Sequence, residues 1–397
     1  MAENRSMPAD LAGTLALAIL GAGLSQVPLI QRARAMGYRA VAIDRDPLAP
    51  GFEYADTAIR ISTHDLPGIL AALRETGYAW AGVLARTTAA EALSSAASIA
   101  DAFRLPGLTS GLVAIATEKS SLRAFAQAHD LPVPTGIQAA GKDVRVPDED
   151  YPVIVRPDST IVGKGHIRYC ADRGSLGVAV ARAGQASANR AADIGRFIEG
   201  IDTTCLCRVR KGQAQCLAWW DELVGVTLNG EIAGLGLSTP SVIESTPAQA
   251  WTQDVCHRLA RCFPAVEALL LLSFRITDQG KPFLIEVHAD LGGDLIAETF
   301  LPAAVQAFDF FDLAIAIATD NRTETAPLTC RPTALYYCSA DEAPPVANIT
   351  RTPGAVIIQK ERIEANLALL EDIIARRNLN LRKQPRHAEW LGRDPHV

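Results

Sequence analysis

The chain has no long apolar run, no excess of basic residues and no cysteine pair at zinc-finger spacing, and each absence removes a class of protein. Its apolar opening, residues 11–23, is too short for a bilayer-crossing helix, which needs ~20 residues, and it ends in a glycine turn. The first 13 residues lack the basic region, apolar core and cleavage pattern of an export signal, so a flexible tail and a cytoplasmic location are expected. A net charge of -6 and a pI near 5.7 provide no basic footprint for a nucleic-acid backbone; neither nucleic acid nor membrane is an expected partner, and a small substrate fits better. The eight cysteines, at 170, 205, 207, 216, 256, 262, 330 and 338, contain no Cys-x2-Cys, and they read as reduced thiols. Cys205 and Cys207 share one strand face, where free cysteine packs as a small hydrophobe.

What is present is ample apolar material, 49% of 397 residues, enough for two or three compact units. The first part alternates short apolar strands (15–20, 40–43, 82–84) with amphipathic helices (26–36, 66–76), a βαβ pattern that implies a parallel sheet. Gly21-Ala22-Gly23 lacks the third glycine of the dinucleotide fingerprint, because Gln26 stands there, while Asp44 about twenty residues on keeps a nicotinamide reading open. Arg86 to Glu91 follows a strand end, where ligands gather in open α/β sheets, although a helix start capped by Thr87 or Thr88 explains the same residues.

Further on, a helical pair is expected over 112–131, followed by strands over 203–209, 214–220 and 223–227 with turns at Lys211-Gly212 and Asn229-Gly230. Residues 234–241, rich in glycine and hydroxyls, read as a loop able to meet a substrate, and 247–270 as an amphipathic helix. Trp219 and Trp220 should point to opposite faces of their strand. Helices are expected after Asp294 and over 309–318, and the end of the chain reads as strands at 331–337 and 355–359 with a helix over 363–378. The basic run 376–383 reads as a solvated face.

Two stretches carry chemistry. In Leu284-Ile-Glu-Val-His-Ala-Asp-Leu-Gly-Gly-Asp294, strand alternation puts Glu286, His288 and Asp290 on one surface, a set suited to a divalent cation, before a glycine turn. A solvated strand end, with Asp290 and Asp294 serving the turn, is the competing reading. The second stretch, 151–167, is an apolar strand ending in Arg156, followed by a loop in which Gly163 and Gly165 flank Lys164; a guanidinium fork, exposed backbone amides and a point charge together suit phosphate. It is preceded by a helix start whose Lys119 and Arg123 lie one turn apart, and followed by Phe197-Ile198-Glu199-Gly200-Ile201-Asp202, a short apolar segment flanked by acids.

In this order, over roughly residues 15–301, the segments resemble the ATP-grasp superfamily, whose members hold ATP between two α+β subdomains and activate a carboxylate as an acyl phosphate. The resemblance implies an α/β and α+β architecture: a tail (1–14), an amino-terminal Rossmann-like parallel domain (15–111), linker helices with a small ATP lid (112–196), a central antiparallel-sheet domain carrying the metal site (197–328), and an added α+β unit (329–397). It also implies that Lys119, Arg156 and Lys164 bind the triphosphate, that Phe197, Ile198, Glu199 and Asp202 meet adenine and ribose, and that Glu286 is the principal Mg2+ ligand. Gly292, Gly293 and Asp294 would face the substrate. The chain departs from the family where His288 replaces an amide ligand, Asp290 a phosphate-stabilising arginine and Ser273 an acidic ligand. Imidazole makes Mn2+ an alternative metal, and Arg275, on the same strand face as Ser273, becomes with Asp290 a catalytic candidate able to restore the lost positive charge. The implied activity is an ADP-forming ligase that joins a small carboxylic or amino acid to an amine, as a homodimer. The alternative is a nucleotide- or ligand-binding protein with an altered metal site and no ligation.

Overall fold

The computed structural model describes residues 15–141, 144–159, 166–289, 291–293, 295–320, 326–338 and 349–376. Three sheets organise it. The first is parallel, with strands β1 (Leu15–Leu20), β2 (Arg39–Ile43), β3 (Thr57–Ile59) and β4 (Ala79–Ala85) in the order β3-β2-β1-β4. β1 is apolar throughout because both its faces are covered: Leu17 and Ile19 enter one core, Ala16, Ala18 and Leu20 another. Helices α1 (Val27–Ala35) and α2 (Leu66–Glu75) each begin with proline in the first turn, and Asp65 caps α2 by accepting from the Gly68 N–H. The Gly21 turn is closed from within, since the Gln26 side chain packs over it and donates to the Arg86 carbonyl at 2.5 Å. The Asp44 carboxylate accepts from the Ala22 and Asp46 N–H groups and so holds the turns after β1 and β2.

Helices α3 (Ala90–Phe103), α4 (Ser110–Thr117) and α5 (Lys119–Ala128) lead to the second sheet, with β5 (Gly136–Ala139), β6 (Val153–Pro157), β7 (Arg168–Cys170) and β8 (Ala192–Arg196) in the antiparallel order β5-β8-β6-β7. Helix α6 (Arg173–Ala186), capped by Asp172, covers it.

The third sheet has eight strands, β9 (Ile201–Arg210), β10 (Gln213–Val226), β11 (Ile232–Thr239), β12 (Glu267–Ile276), β13 (Pro282–His288), β14 (Thr333–Tyr337), β15 (Ile349–Thr352) and β16 (Ala355–Gln359), ordered β13-β12-β9-β10-β11-β14-β16-β15. Its two faces feed two cores. α7 (Pro247–Arg261) and α10 (Ile363–Arg376) pack with Trp219 and Cys205 on one side; α8 (Leu301–Ala304), α9 (Phe310–Ala318) and the Leu17 face of β1 pack with Trp220 and Leu206 on the other. The two tryptophans therefore do face opposite ways.

Four expectations change. The strands expected at 214–220 and 223–227 are one strand, β10, because two register shifts absorb the irregularity and the ladder to β9 runs on through Asp221 and Glu222. Residues 234–239 are β11 rather than a loop; Gly236 is there because a Cβ would meet the Leu335 carbonyl at 2.0 Å across the ladder. The helix from Pro247 stops at Arg261, ahead of Pro264, and residues 267–270 pair with β9 instead. The carboxy-terminal strands, read as an added unit, continue the central ladder through β11 and β14. After Leu295, itself at φ +61°, the chain forms a π-helix over Ile296–Phe300 before α8. The remaining part of the basic run, 377–383, lies outside the described residues.

Asp221 is fully enclosed in the third sheet, and burial pushes its carboxyl up to about 7 against hydrogen bonds from Ser241 Oγ, the Val242 N–H and Thr203 Oγ1. A carboxyl raised in the folded state favours folding below the unfolded value of ~3.9, and that contribution is lost as pH rises through about 7. Urea unfolding measured from pH 4 to 7 should therefore show a falling component of at most ~1.4 kcal/mol per pH unit, and Asp221→Asn should flatten it.

Candidate active site

The second and third sheets meet at a cavity of about 420 Å3, lined among others by Lys119, Arg156, Asp202, Ser273, Glu286 and His288. Lys119 reaches it because α5 is pinned at its first turn. The Lys119 N–H donates to the Asp158 carbonyl at 3.0 Å, and the Ser120 N–H and hydroxyl donate to the Asp158 carboxylate at 2.8 and 2.9 Å. Burial works to raise the Asp158 carboxyl, but hydrogen bonds from Asn189, Ser120 and Gln138 prevail and hold it below the ordinary range. Its negative charge also suits a helix amino terminus.

Arg156 leaves β6 toward the same cavity and is organised by Asp193 of β8, its direct cross-strand partner. Asp193 is wholly buried and accepts from Arg156 Nε at 2.9 Å and from Arg123 of α5. One carboxylate thus fixes two guanidinium groups from different elements. Sequence reading missed it, although an acid inside the apolar run Ala192-Asp-Ile-Gly-Arg needs a cationic partner to be buried at all.

Glu286 faces these cations from β13. Its carboxylate lies 3.3 Å from Arg156 Nη1 and 3.6 Å from Lys119 Nζ, while His288 Nε2 is 3.2 Å from its other oxygen. Burial alone would raise this carboxyl; Lys119, His288 and Arg156 outweigh it and hold it well below the usual range. Glu286 and His288 share a strand face, as the alternation requires. Ser273, opposite Glu286 in the ladder, contacts Thr204 Oγ1 at 3.0 Å, and that hydroxyl donates to Glu222 Oε1 at 2.8 Å. Among the described residues Glu286 and His288 have no third carboxylate, imidazole or thiol close enough to complete a three-ligand cluster. Asp290, Asp294 and Lys164 lie outside the described residues.

At the other end of the cavity Arg275 has a different setting from the one its spacing suggested. Asp202 is its cross-strand partner, and the guanidinium closes on that carboxylate at 2.5 and 2.8 Å, donates to the Ile198 carbonyl at 3.1 Å and lies 5.3 Å from the Phe197 ring centre. Its charge is thereby committed to the segment that joins the two sheets, because Asp202 stands directly opposite on β9. Phe197, Ile198 and Asp202 line the cavity, whereas Glu199 is exposed and does not.

The glycine turn is held from the amino-terminal domain. Arg86, at the end of β4, is buried, donates to the Gly292 carbonyl from Nε (3.3 Å) and Nη2 (3.2 Å), and pairs with Glu298. Gly292 has φ +77°, a left-handed backbone that glycine adopts without strain. Gly293 lines the cavity, and the place its Cβ would occupy is open space. Thr87 accepts from the Ala89 N–H, so the stretch after Arg86 does serve a turn into α3, while Thr88 lines the cavity.

No protein-family model and no curated protein matches the sequence. Solved structures match its fold. L-amino acid ligase from Bacillus licheniformis superimposes with a TM-score of 0.70 at 15% identity, covering 93% of this chain and 98% of that one. N5-carboxyaminoimidazole ribonucleotide synthetase in its ADP complex gives 0.69 at 14%, covering 92% and 98%. The biotin carboxylase domain dimer of Hydrogenobacter thermophilus 2-oxoglutarate carboxylase, bound to MgADP, ADP and bicarbonate, gives 0.65 at 14%, covering 90% and 89%. The chain has the ATP-grasp fold. The cavity lies between the second and third sheets of that fold, and no helix among the described residues is long and apolar enough to cross a membrane.

Asp193→Ala should cost about 3–5 kcal/mol in chemical denaturation, since it leaves Arg123 and Arg156 buried without their counter-charge. The double variant Arg123→Met with Asp193→Ala should recover part of that loss.

Proposed function

We propose that this chain is an ATP-dependent, ADP-forming ligase that activates a small carboxylic or amino acid and joins it to an amine. The observation that carries the reading is the convergence of Lys119 and Arg156 on Glu286 at one end of a partly open cavity whose other end holds Phe197 and Ile198 beside the Arg275–Asp202 pair. Glu286 offsets part of the positive charge that Lys119 and Arg156 bring to the cavity. A triphosphate would compete with Glu286 for Lys119 and Arg156, and Glu286 would then be the carboxylate available to hold a cation. Lys164 is assigned to the same phosphates from the lid, and Phe197 and Ile198 to the adenine.

Mg2+ needs only one or two carboxylates beside phosphate oxygens, so Glu286, joined by Asp290, fits it, and the His288 imidazole extends the fit to Mn2+. When bound, the metal would neutralise charge on the transferring phosphoryl group. The protein's own part is placement. Lys119 and Arg156 stabilise the charge that develops on the γ-phosphate as the substrate carboxylate oxygen attacks phosphorus and ADP departs. Arg86 fixes Gly292, and the open side of Gly293 leaves room for the acyl phosphate, from which the amine then displaces phosphate. Arg275 serves by holding Asp202 and Ile198 in the hinge. A cytoplasmic homodimer is part of the proposal.

Ser273 in place of an acid supports a second reading, an ATP-grasp nucleotide- or ligand-binding protein without ligation. Incubation with ATP, Mg2+ or Mn2+ and pools of amino and carboxylic acids separates the two. Substrate-dependent release of ADP and phosphate is the expected result, and ATP binding with no turnover in any pool would favour the second reading. Arg156→Ala and Lys119→Ala should each weaken ATP about 10–100-fold by calorimetry, the equivalent of ~1.5–3 kcal/mol for a charge-assisted hydrogen bond. Glu286→Gln should keep ATP binding and abolish turnover.

A further inference from the structure

Behind the ATP-grasp cavity, on the opposite face of the central sheet, four cysteines meet. Cys205 and Cys207 point from β9 into the core under α7, Cys216 stands opposite Cys207 on β10, and Cys256 comes down from α7. The sulfurs of Cys205, Cys216 and Cys256 all lie within 4.8 Å of one another. No disulfide joins them. Cys205 and Cys256 are fully buried, while Cys216 is half-buried and reachable from solvent beside the exposed His257.

Among the described residues no carboxylate joins these three sulfurs, which form a soft donor set, unsuited to Mg2+ or Ca2+ and suited to d10 cations that favour thiolate. We propose that Cys205, Cys216 and Cys256 bind one thiophilic d10 cation, Zn2+ or Cu+, at a site separate from the ATP cavity. The local electrostatics agree: hydrogen bonds from Cys205, Cys207 and Cys256 draw the Cys216 thiol down, whereas burial first of all drives Cys205 and Cys256 up. Cys216 is the accessible position, with Cys205 and Cys256 buried behind it, and this order is a starting point for stepwise binding. The metal enters at Cys216, each thiol ionises as its sulfur bonds to the metal, and the protons pass to buffer. Two coordination numbers are possible for the two ions. Three sulfurs complete a trigonal Cu+ site; Zn2+ takes four ligands, and Cys207, opposite Cys216 in the ladder but outside the three-sulfur group, would have to move in to be the fourth. Either ion would tie α7 to the strands that carry Asp202, Thr204 and Glu222 on their other face.

The test uses the full chain, purified under reductant without oxygen and stripped of metal. Zn2+ and Cu+ are titrated separately against chromophoric chelators, with Co2+ as an optical probe. The expected result is one tightly held equivalent, thiolate-to-metal absorption with Co2+, and raised thermal stability of the loaded protein. Cys216→Ser, at a half-buried position that tolerates a hydroxyl, should weaken binding at least ~10-fold, since even residues outside the ligand set of metal sites cost 10–100-fold. Cys207→Ser should weaken Zn2+ binding and leave Cu+ unchanged. The proposal is overturned if the native chain retains neither ion in competition, if Cys216→Ser binds as tightly as the native chain, or if thiol mapping finds two of these cysteines joined as a disulfide. Because every readout is metal binding or stability, the result does not depend on whether ligation is the reaction.

Discussion

The buried carboxylate of Asp193 is the constraint on which the site depends. Isolated in the lid sheet it would be costly to ionise, and it is tolerated because Arg123 of α5 and Arg156 of β6 both donate to it. That sharing sets the distance between the linker helix and the lid, and with it where Lys119 and Arg156 sit. The surplus positive charge then reaches Glu286 on the central sheet. The second and third sheets are therefore joined across the cavity by the pairing of Lys119 and Arg156 with Glu286.

The central sheet supports this arrangement by separating two jobs on its two faces. Along β9, Asp202 and Thr204 turn to the cavity while Cys205 and Cys207 turn to the core beneath α7. Period-two alternation does this with no further device. The amino-terminal domain is bound in through the second core, where Leu17 and Leu29 meet Trp220 and Phe300, and through Arg86, whose guanidinium crosses from β4 to the Gly292 carbonyl. The glycine turn is consequently governed by a residue outside the sheet that carries it.

Much of the fold was legible because it rests on local chemistry. The βαβ alternation, the helix over 66–76 and the Lys119 helix start each declare themselves within a few residues. The misreadings fell where a neighbouring strand decides. Gly234 to Thr239 looks like a loop until the Leu335 carbonyl is seen against Gly236, and residues 267–270 look helical until β9 offers hydrogen bonds. Arg275 looked like a phosphate ligand from its spacing to Ser273, yet the residue across the ladder is Asp202.

By itself the sequence determined the order of elements, the parallel amino-terminal sheet, the common face of Glu286 and His288, and the presence of cations at 119 and 156. These follow from periodicity and from side-chain chemistry, which a linear chain states openly. Tertiary structure alone decided which charges meet: Asp193 with two arginines, Arg275 with Asp202, Arg86 with Gly292, and three cysteines from β9, β10 and α7 at one point. Such pairings depend on strand order and on the packing of helices over sheets, quantities set by the burial of whole apolar faces rather than by any short run of residues.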